Sequence, residues 1–274
     1  MEIEFEKNAK NVAGALKFMC NNCKKLFVQA LPSGHVSFKH VSDDQSCWLE
    51  LHVNRLDVVV RKPAATGTCR AVESKLLHKA MMPITTLKDV LVFSFAADDR
   101  MRVTTTAKGA TSSVDIAYMT EEPVLLDTSA CCPQNCVASL QDKDIRILEK
   151  FLKRKVSEGC VDAFQHIAWK VVEDRVEVGG ETAFDGIICG AAASDAPQAL
   201  TFHSQLLLNL LRPTLSNTAT LTLYDALPLR IKYVFGEKVK KKLPKKAAAS
   251  SSSSSPSGPS ETCLMLYLSP GIIA

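Results

Sequence analysis

Helix-like and strand-like segments recur in the same order in the two halves of this 274-residue sequence, and this repeat limits the possible folds most strongly. In the first half, apolar residues follow helical spacing from Asn8 to Asn21 and again from Val72 to Met82. In the second half, they do so from Asp142 to Val156 and from about Phe202 to Leu211. Both helices return after about 130 residues, which is typical of a duplicated domain.

Short runs rich in β-favouring residues fill the intervals between these predicted helices. In the first half they are residues 26–30, 36–40, 47–53, 56–61, 90–95, 101–106 and 113–119. In the second half they are residues 166–172, 175–178 and 187–190, followed by three runs between Leu221 and Leu268. Helices and strands repeated twice in this order predict an α+β fold of two similar domains.

The repeat predicts domain boundaries at residues 1–119 and 136–274. The connection between them, residues 120–135, contains two prolines and little periodicity, so we expect an extended surface link. Residues 238–260 combine a lysine run with consecutive serines and predict a disordered insertion in the second domain. The formal net charge of +4 is concentrated in that lysine run, and the rest of the chain is close to neutral.

Catalysis and membrane insertion are not indicated. The sequence lacks phosphate-binding glycine motifs, a nucleophile elbow and a zinc-protease motif. The adjacent acids Asp98-Asp99 and Glu121-Glu122 do not face each other in regular structure, which argues against paired acid–base work. Apolar runs are too short for a membrane span, and the acidic amino terminus is unlike a signal peptide. We therefore expect an intracellular, non-enzymatic protein without a cofactor.

Ten cysteines raise the question of a metal or redox site. Cys20 and Cys23 form a C-x-x-C pair, and Cys131, Cys132 and Cys136 form a second cluster without matching spacing. Cys20 also lies in the apolar stripe of the first helix. Reduced, structural cysteines are the favoured interpretation, with a metal or redox site as the alternative.

The carboxyl-terminal strands carry the most specific pattern. A strand from Leu221 leads through Leu-Pro228-Leu to a strand ending in Tyr233, and the last strand reads Leu-Met-Leu-Tyr267-Leu-Ser-Pro270. This resembles the carboxyl-terminal signature of sliding DNA clamps of the proliferating cell nuclear antigen (PCNA) family, with Val-Pro-Leu, Glu-Tyr and Tyr-Tyr-Leu-Ala-Pro in that order. The resemblance implies the DNA-clamp fold, in which the helices of two similar domains line a ring and antiparallel sheets lie outside.

The resemblance also implies a function. A sliding clamp encircles duplex DNA without reading its sequence and tethers DNA polymerase and other replication and repair proteins through clamp-binding peptides. A separate ATP-dependent clamp loader opens the ring. Self-association into a homotrimer would use edge strands near residues 113–119 and 175–180. The expected location is the nucleus, or the site of viral DNA replication for a viral protein.

Basic residues recur along three of the four predicted helices. On the helix from Asp142 they recur at steps of three and four, and therefore share one face. The full set is Lys10, Lys17, Lys75, Lys79, Lys143, Arg146, Lys150, Lys153 and Arg154, with Arg212 after the fourth helix. A solvated helix surface would show the same stripe. The resemblance implies instead that these side chains line the ring and contact DNA phosphates.

A partner-peptide pocket is implied by position in the family. The segment Val41-Ser-Asp-Asp-Gln-Ser-Cys-Trp48-Leu stands where clamps carry a motif like Met-Asp-Ser-Ser-His-Val-Ser-Leu-Val. The pocket would consist of Val41, Gln45, Leu126, Pro228, Tyr267, Ser269 and Pro270. Such an apolar patch binds a short peptide turn with aromatic anchors. Ordinary core packing is the alternative for Val41, Leu126 and Tyr267.

Three other interpretations stay open. The chain could be a subunit of a heterotrimeric checkpoint clamp, which shares the fold without self-association. It could be a viral processivity factor of different oligomeric state. From another class, a peptide-binding scaffold without DNA contact remains if the helices prove not to be basic in space.

Overall fold

The computed structural model describes residues 1–5, 8–31, 33–42, 46–62, 68–95, 99–120, 134–157, 166–172, 175–188, 200–211, 216, 218–224, 229–235 and 262–268. Several predicted features lie outside these residues. They are most of the 120–135 connection, the 238–260 insertion, and Gln45, Leu126, Arg212, Pro228, Ser269 and Pro270.

In these residues, four α-helices form where apolar residues recur at helical spacing. They are α1 (Ala9–Asn22), α2 (Ser74–Met81), α3 (Asp142–Ser157) and α4 (Ser204–Leu210). In α3, Ile145, Leu148 and Leu152 are fully buried, and this stripe packs toward the sheet. Asp144 accepts a hydrogen bond from the Gln141 amide (2.9 Å) at the start of this helix. An acid in the first turn also complements the helix dipole.

The same described residues form seventeen β-strands. The first half contains β1 (Glu2–Phe5), β2 (Lys25–Ala30), β3 (Val36–Val41), β4 (Cys47–Val53), β5 (Val59–Lys62), β6 (Thr68–Glu73), β7 (Val90–Ser94), β8 (Arg100–Ala107) and β9 (Ala110–Met119). The second contains β10 (Gln134–Gln141), β11 (His166–Val172), β12 (Arg175–Val178), β13 (Thr182–Ile188), β14 (Leu200–His203), β15 (Thr218–Tyr224), β16 (Leu229–Val234) and β17 (Cys263–Leu268).

Antiparallel pairing joins all these strands in one continuous path. Its order is β5–β1–β7–β8–β9–β6–β2–β3–β4–β17–β16–β15–β10–β13–β12–β11–β14. The two halves meet where β17 pairs with β4, from Cys263 opposite His52 to Leu268 opposite Cys47. We call this junction the seam.

The helices of both halves lie on the same face of this sheet. Paired positions in antiparallel strands point to one face, and a row of directly opposed apolar residues crosses the seam. The row is Leu49, Leu266, Ile231, Leu221 and Ala138. All five belong to a single buried core that also contains the apolar stripes of α1, α2, α3 and α4.

The elements differ from the sequence-based expectations at several ends. The second helix of each half starts later than predicted, because Val72 and Phe202 belong to strands β6 and β14 and have ladder partners there. Residues 134 and 135 of the predicted connection lie in β10, which pairs with β15. Strand β1 was not predicted, since four residues give too short a pattern. Residues 55–57 form a 3-10 turn ahead of β5.

Candidate nucleic-acid interface and partner pocket

Five of the six basic residues of α3 are exposed, but intramolecular carboxylates engage four of the six. Arg146 Nε lies 2.9 Å from Asp142 Oδ2, and Lys153 Nζ lies 2.6 Å from Glu149 Oε1. Arg154 and the half-buried Lys155 both pair with Glu181, in the turn between β12 and β13. Among the described residues, Lys143 and Lys150 are exposed without an ion pair. They are therefore the α3 side chains most available to a phosphate.

The basic residues of the first half divide in the same way. Lys10 on α1 and Lys75 and Lys79 on α2 are exposed. Lys17 is half-buried and its Nζ donates to the Ile84 carbonyl at 3.0 Å. Burial also lowers the pKa of Lys17. Lys17 thus links α1 to the segment that follows α2. Helical spacing in the sequence could not predict this contact.

The fourth helix offers no comparable surface. The seven residues of α4 carry no charge, and Gln205 Nε2 donates to Asn209 Oδ1 at 2.8 Å. His203 serves as its cap, with Nδ1 accepting from the Leu206 amide at 3.2 Å. In the described helices, the exposed lysines without an intramolecular ion pair are Lys10, Lys75, Lys79, Lys143 and Lys150.

On the opposite face of the sheet, the structure brings two predicted pocket residues into one row. Val41 on β3 lies opposite Trp48 on β4, and Trp48 lies opposite Tyr267 on β17. The Trp48 and Tyr267 rings stack with centroids 4.6 Å apart and an interplanar angle of 13°. Cys263, Met265 and Tyr267 form an apolar cluster with Trp48 that is separate from the main core. The pocket prediction did not include Trp48 as a lining residue.

A buried carboxylate lies beside this aromatic row. Glu50 Oε1 is 3.0 Å from both Lys39 Nζ and His52 Nε2, and the His52 ring centroid is 5.5 Å from that of His35. Burial alone would raise the pKa of Glu50, but the hydrogen bonds and charges of His52 and Lys39 outweigh it and lower the pKa. Burial, with the nearby His52 and Lys39, lowers the pKa of His35. The cluster ties β3 to β4 on the outer side of the seam.

The C-x-x-C cysteines are structural in the described fold. Cys23 Sγ donates to the Met19 carbonyl at 3.0 Å and lies 3.3 Å from Ser74 Oγ. Burial raises the pKa of Cys20, and it raises the pKa of Cys23 to about 11. Both thiols stay protonated at neutral pH, which disfavours nucleophilic or ligating roles. In the described part of the chain, no histidines, cysteines and acids cluster as metal ligands, and no helix could cross a membrane.

Of the two sheet edges implied by the resemblance, the structure has one at the expected position and not the other. Within the described residues, positions 111–117 of β9 pair only with β8, so this strand does present an edge. Strand β12, however, pairs with β11 on one side and β13 on the other. The expected edge at 175–180 is therefore wrong, because those residues form an interior strand and a turn. Residues 182–185 of β13, whose described pairing is with β12 alone, present an edge instead.

The fold is that of PCNA-like clamps. A chain in the crystal structure of a PCNA2–PCNA3 complex from Sulfolobus tokodaii matches with a TM-score of 0.67, covering 98% of this chain and 99% of that one. The sequence identity is 9%, so this likeness concerns the fold alone. No protein-family model matches the sequence, and no curated protein matches it significantly.

Proposed function

We propose that this chain is a subunit of a ring-shaped sliding clamp that holds replication and repair proteins on duplex DNA. The observation that carries the proposal is a PCNA-like fold whose four described helices lie on one face of a continuous sheet, with exposed lysines on three of them. Exposed lysines suit a surface that must neutralise phosphates without holding one sequence. The role is topological and needs no catalytic group.

The outer face supports the second half of the proposal. DNA polymerase and other clients would dock by short peptides against the patch that begins with Val41, Trp48 and Tyr267. Aromatic side chains are common anchors of such contacts. An ATP-dependent loader and a nuclear site of action, or a viral replication site, complete the proposal. The lysine run at 238–246, of the kind that directs nuclear import, motivates the location.

The test compares matched charge reversals on the two faces. The inner variant carries Lys143→Glu and Lys150→Glu. The outer variant carries Lys170→Glu and Arg175→Glu, which alternate with core-facing residues and therefore lie on the other face. Anisotropy of a labelled duplex at low salt should show about ten-fold weaker binding for the inner variant. The slope of log affinity against log salt should fall by about one unit for each phosphate that the variant no longer neutralises.

The outer variant should bind duplex DNA like the parent protein. Equal weakening in the two variants would mean that binding reflects overall charge, and the inner-face assignment would fail. Thermal melting of both variants serves as the folding control, since all four positions are solvent-exposed.

A further inference from the structure

The seam shows how one half of this fold joins another. It pairs the last strand of the second half, β17, with β4 of the first. Strand β9 is the last strand of the first half, and β13 takes the place of β4 in the second, because each follows its preceding strand as a hairpin. A junction between two copies of the chain would therefore pair β9 of one copy with β13 of the other.

The β9 edge is long enough for such a junction. The strand has ten residues, and its first four are exposed. Further along, Asp115 and Ala117 are exposed while Ile116 points into the core. This alternation is that of a strand covered on one face and open along its edge. It offers at least as many backbone groups as the six-residue β17 uses in the seam.

The β13 edge is much shorter. In the first half, the β3–β4 ladder extends from Val36 opposite Val53 to Val41 opposite Trp48. In the second half, the β12–β13 ladder stops at Val178 opposite Thr182. The chain reverses there through Gly179 and Gly180, which have φ values of 61° and 70°. Residues in this left-handed region cannot continue a strand. Residues 182–185 are then the part of this described hairpin that is left for pairing with another chain.

Contacts with α3 hold this turn in place. A Cβ atom on Gly179 would lie 2.7 Å from Phe151 Cζ, so the turn packs directly on that ring. The Glu181 carboxylate forms ion pairs with both Arg154 and Lys155. Extending the two strands past Val178 would break these contacts. The contacts of this turn with α3 therefore keep the β13 edge short.

We infer that β9 recruits a second, non-identical clamp-fold chain whose edge strand is longer than β13, so that the ring is heteromeric. The inference rests on the proposed function and specifies its partner. A copy of this chain would pair with less than half of β9 and leave exposed backbone groups unpaired, whereas a β4-like strand would cover the edge as in the seam. Unpaired edge groups are the feature that drives strand addition.

The experiment lengthens the short edge and measures mass by light scattering. One variant receives Thr-Val-Thr between Val178 and Gly179 and again between Glu181 and Thr182, which extends both strands with β-favouring residues. The matched control receives Gly-Ser-Gly at the same two positions. The parent and the control should show the single-chain mass of 29.8 kDa at about 50 µM, a concentration at which tight complexes and also moderately weak ones are populated. The lengthened variant should shift to a multiple of that mass.

Two results would overturn the inference. The first is a parent protein that shows a multiple-chain mass at about 50 µM, where the single-chain mass is expected. The second is a lengthened variant that is folded by circular dichroism yet stays single. Should that variant fail to fold, hydrogen exchange of the parent protein decides: β9 amides that gain protection as concentration rises would contradict a heteromeric edge, and unchanged exchange supports it. The duplex-binding test of α3 does not depend on these outcomes.

Discussion

Single residues beside the seam, on the face of the sheet opposite the helices, make the free energy of unfolding depend on pH. His35 lies beside His52, Lys39 and Glu50, and its pKa is lowered by burial and by the two neighbouring basic groups. In the unfolded chain, His35 therefore binds a proton near its ordinary pKa of about 6.5, whereas in the folded chain it binds that proton only at lower pH. As the pH falls from about 7 to about 5, the free energy of unfolding should decrease. Glu50, with its lowered pKa, adds a further decrease only below about pH 4.5.

Replacing His35→Gln should flatten the pH dependence of stability between pH 7 and pH 5, as measured by urea unfolding. His78→Gln is the matched control, because His78 belongs to α2 on the other side of the sheet. That variant should keep the slope of the parent protein. A slope that survives the His35 substitution would assign the acid sensitivity to another group.

Among the elements, the hairpin of β16 and β17 is tied to the first half at its open end. The Phe235 amide donates to the Thr262 carbonyl at 3.0 Å. The Thr262 hydroxyl accepts from the Asn54 amide at 2.9 Å and donates to Asp57. These bonds close the hairpin where the long insertion leaves it. A loop added at such a point costs little extra, because closure entropy grows slowly with length.

Thr262→Val should reduce the free energy of unfolding by about 1–3 kcal/mol, because it keeps the shape of this buried side chain and removes both hydrogen bonds. Thr262→Ser retains the hydroxyl and should cost less. Chemical denaturation of the two variants measures the difference. If the valine variant matches the parent protein, the link between β17 and the 54–57 turn contributes nothing to stability.

The whole molecule should unfold as one unit, since the sheet and the core continue across the seam. Leu91 is fully buried in the first half, and Leu91→Ala should cost about 2–5 kcal/mol. Trp48 reports on β4 at the seam, and the buried Trp169 reports on the second half. Single-tryptophan proteins made with Trp169→Phe or Trp48→Phe should show the same shift in midpoint. An unchanged midpoint at Trp169 would mean that the halves unfold separately.

Local pattern was enough to predict the α+β class and most helices. Apolar residues such as Val12, Leu16 and Met19 recur at the spacing of one helix face, and that spacing is a property of neighbouring residues. The resemblance at the carboxyl terminus predicted a clamp fold, and the structural match confirms that fold. Element ends such as Val72 were wrong, because ladder partners distant in the sequence extend a strand into the helical pattern.

Contacts between distant residues account for what local pattern could not predict. Lys17 and Arg154 belong to the same basic stripes as Lys10 and Lys150, yet they are engaged by Ile84 and Glu181. Trp48 meets Tyr267 only because β4 and β17 pair across the seam. Likewise, the shortness of the β13 edge follows from a turn packed on α3. Periodicity reports which face of an element is apolar, whereas side-chain availability and open sheet edges depend on what the folded chain places against them.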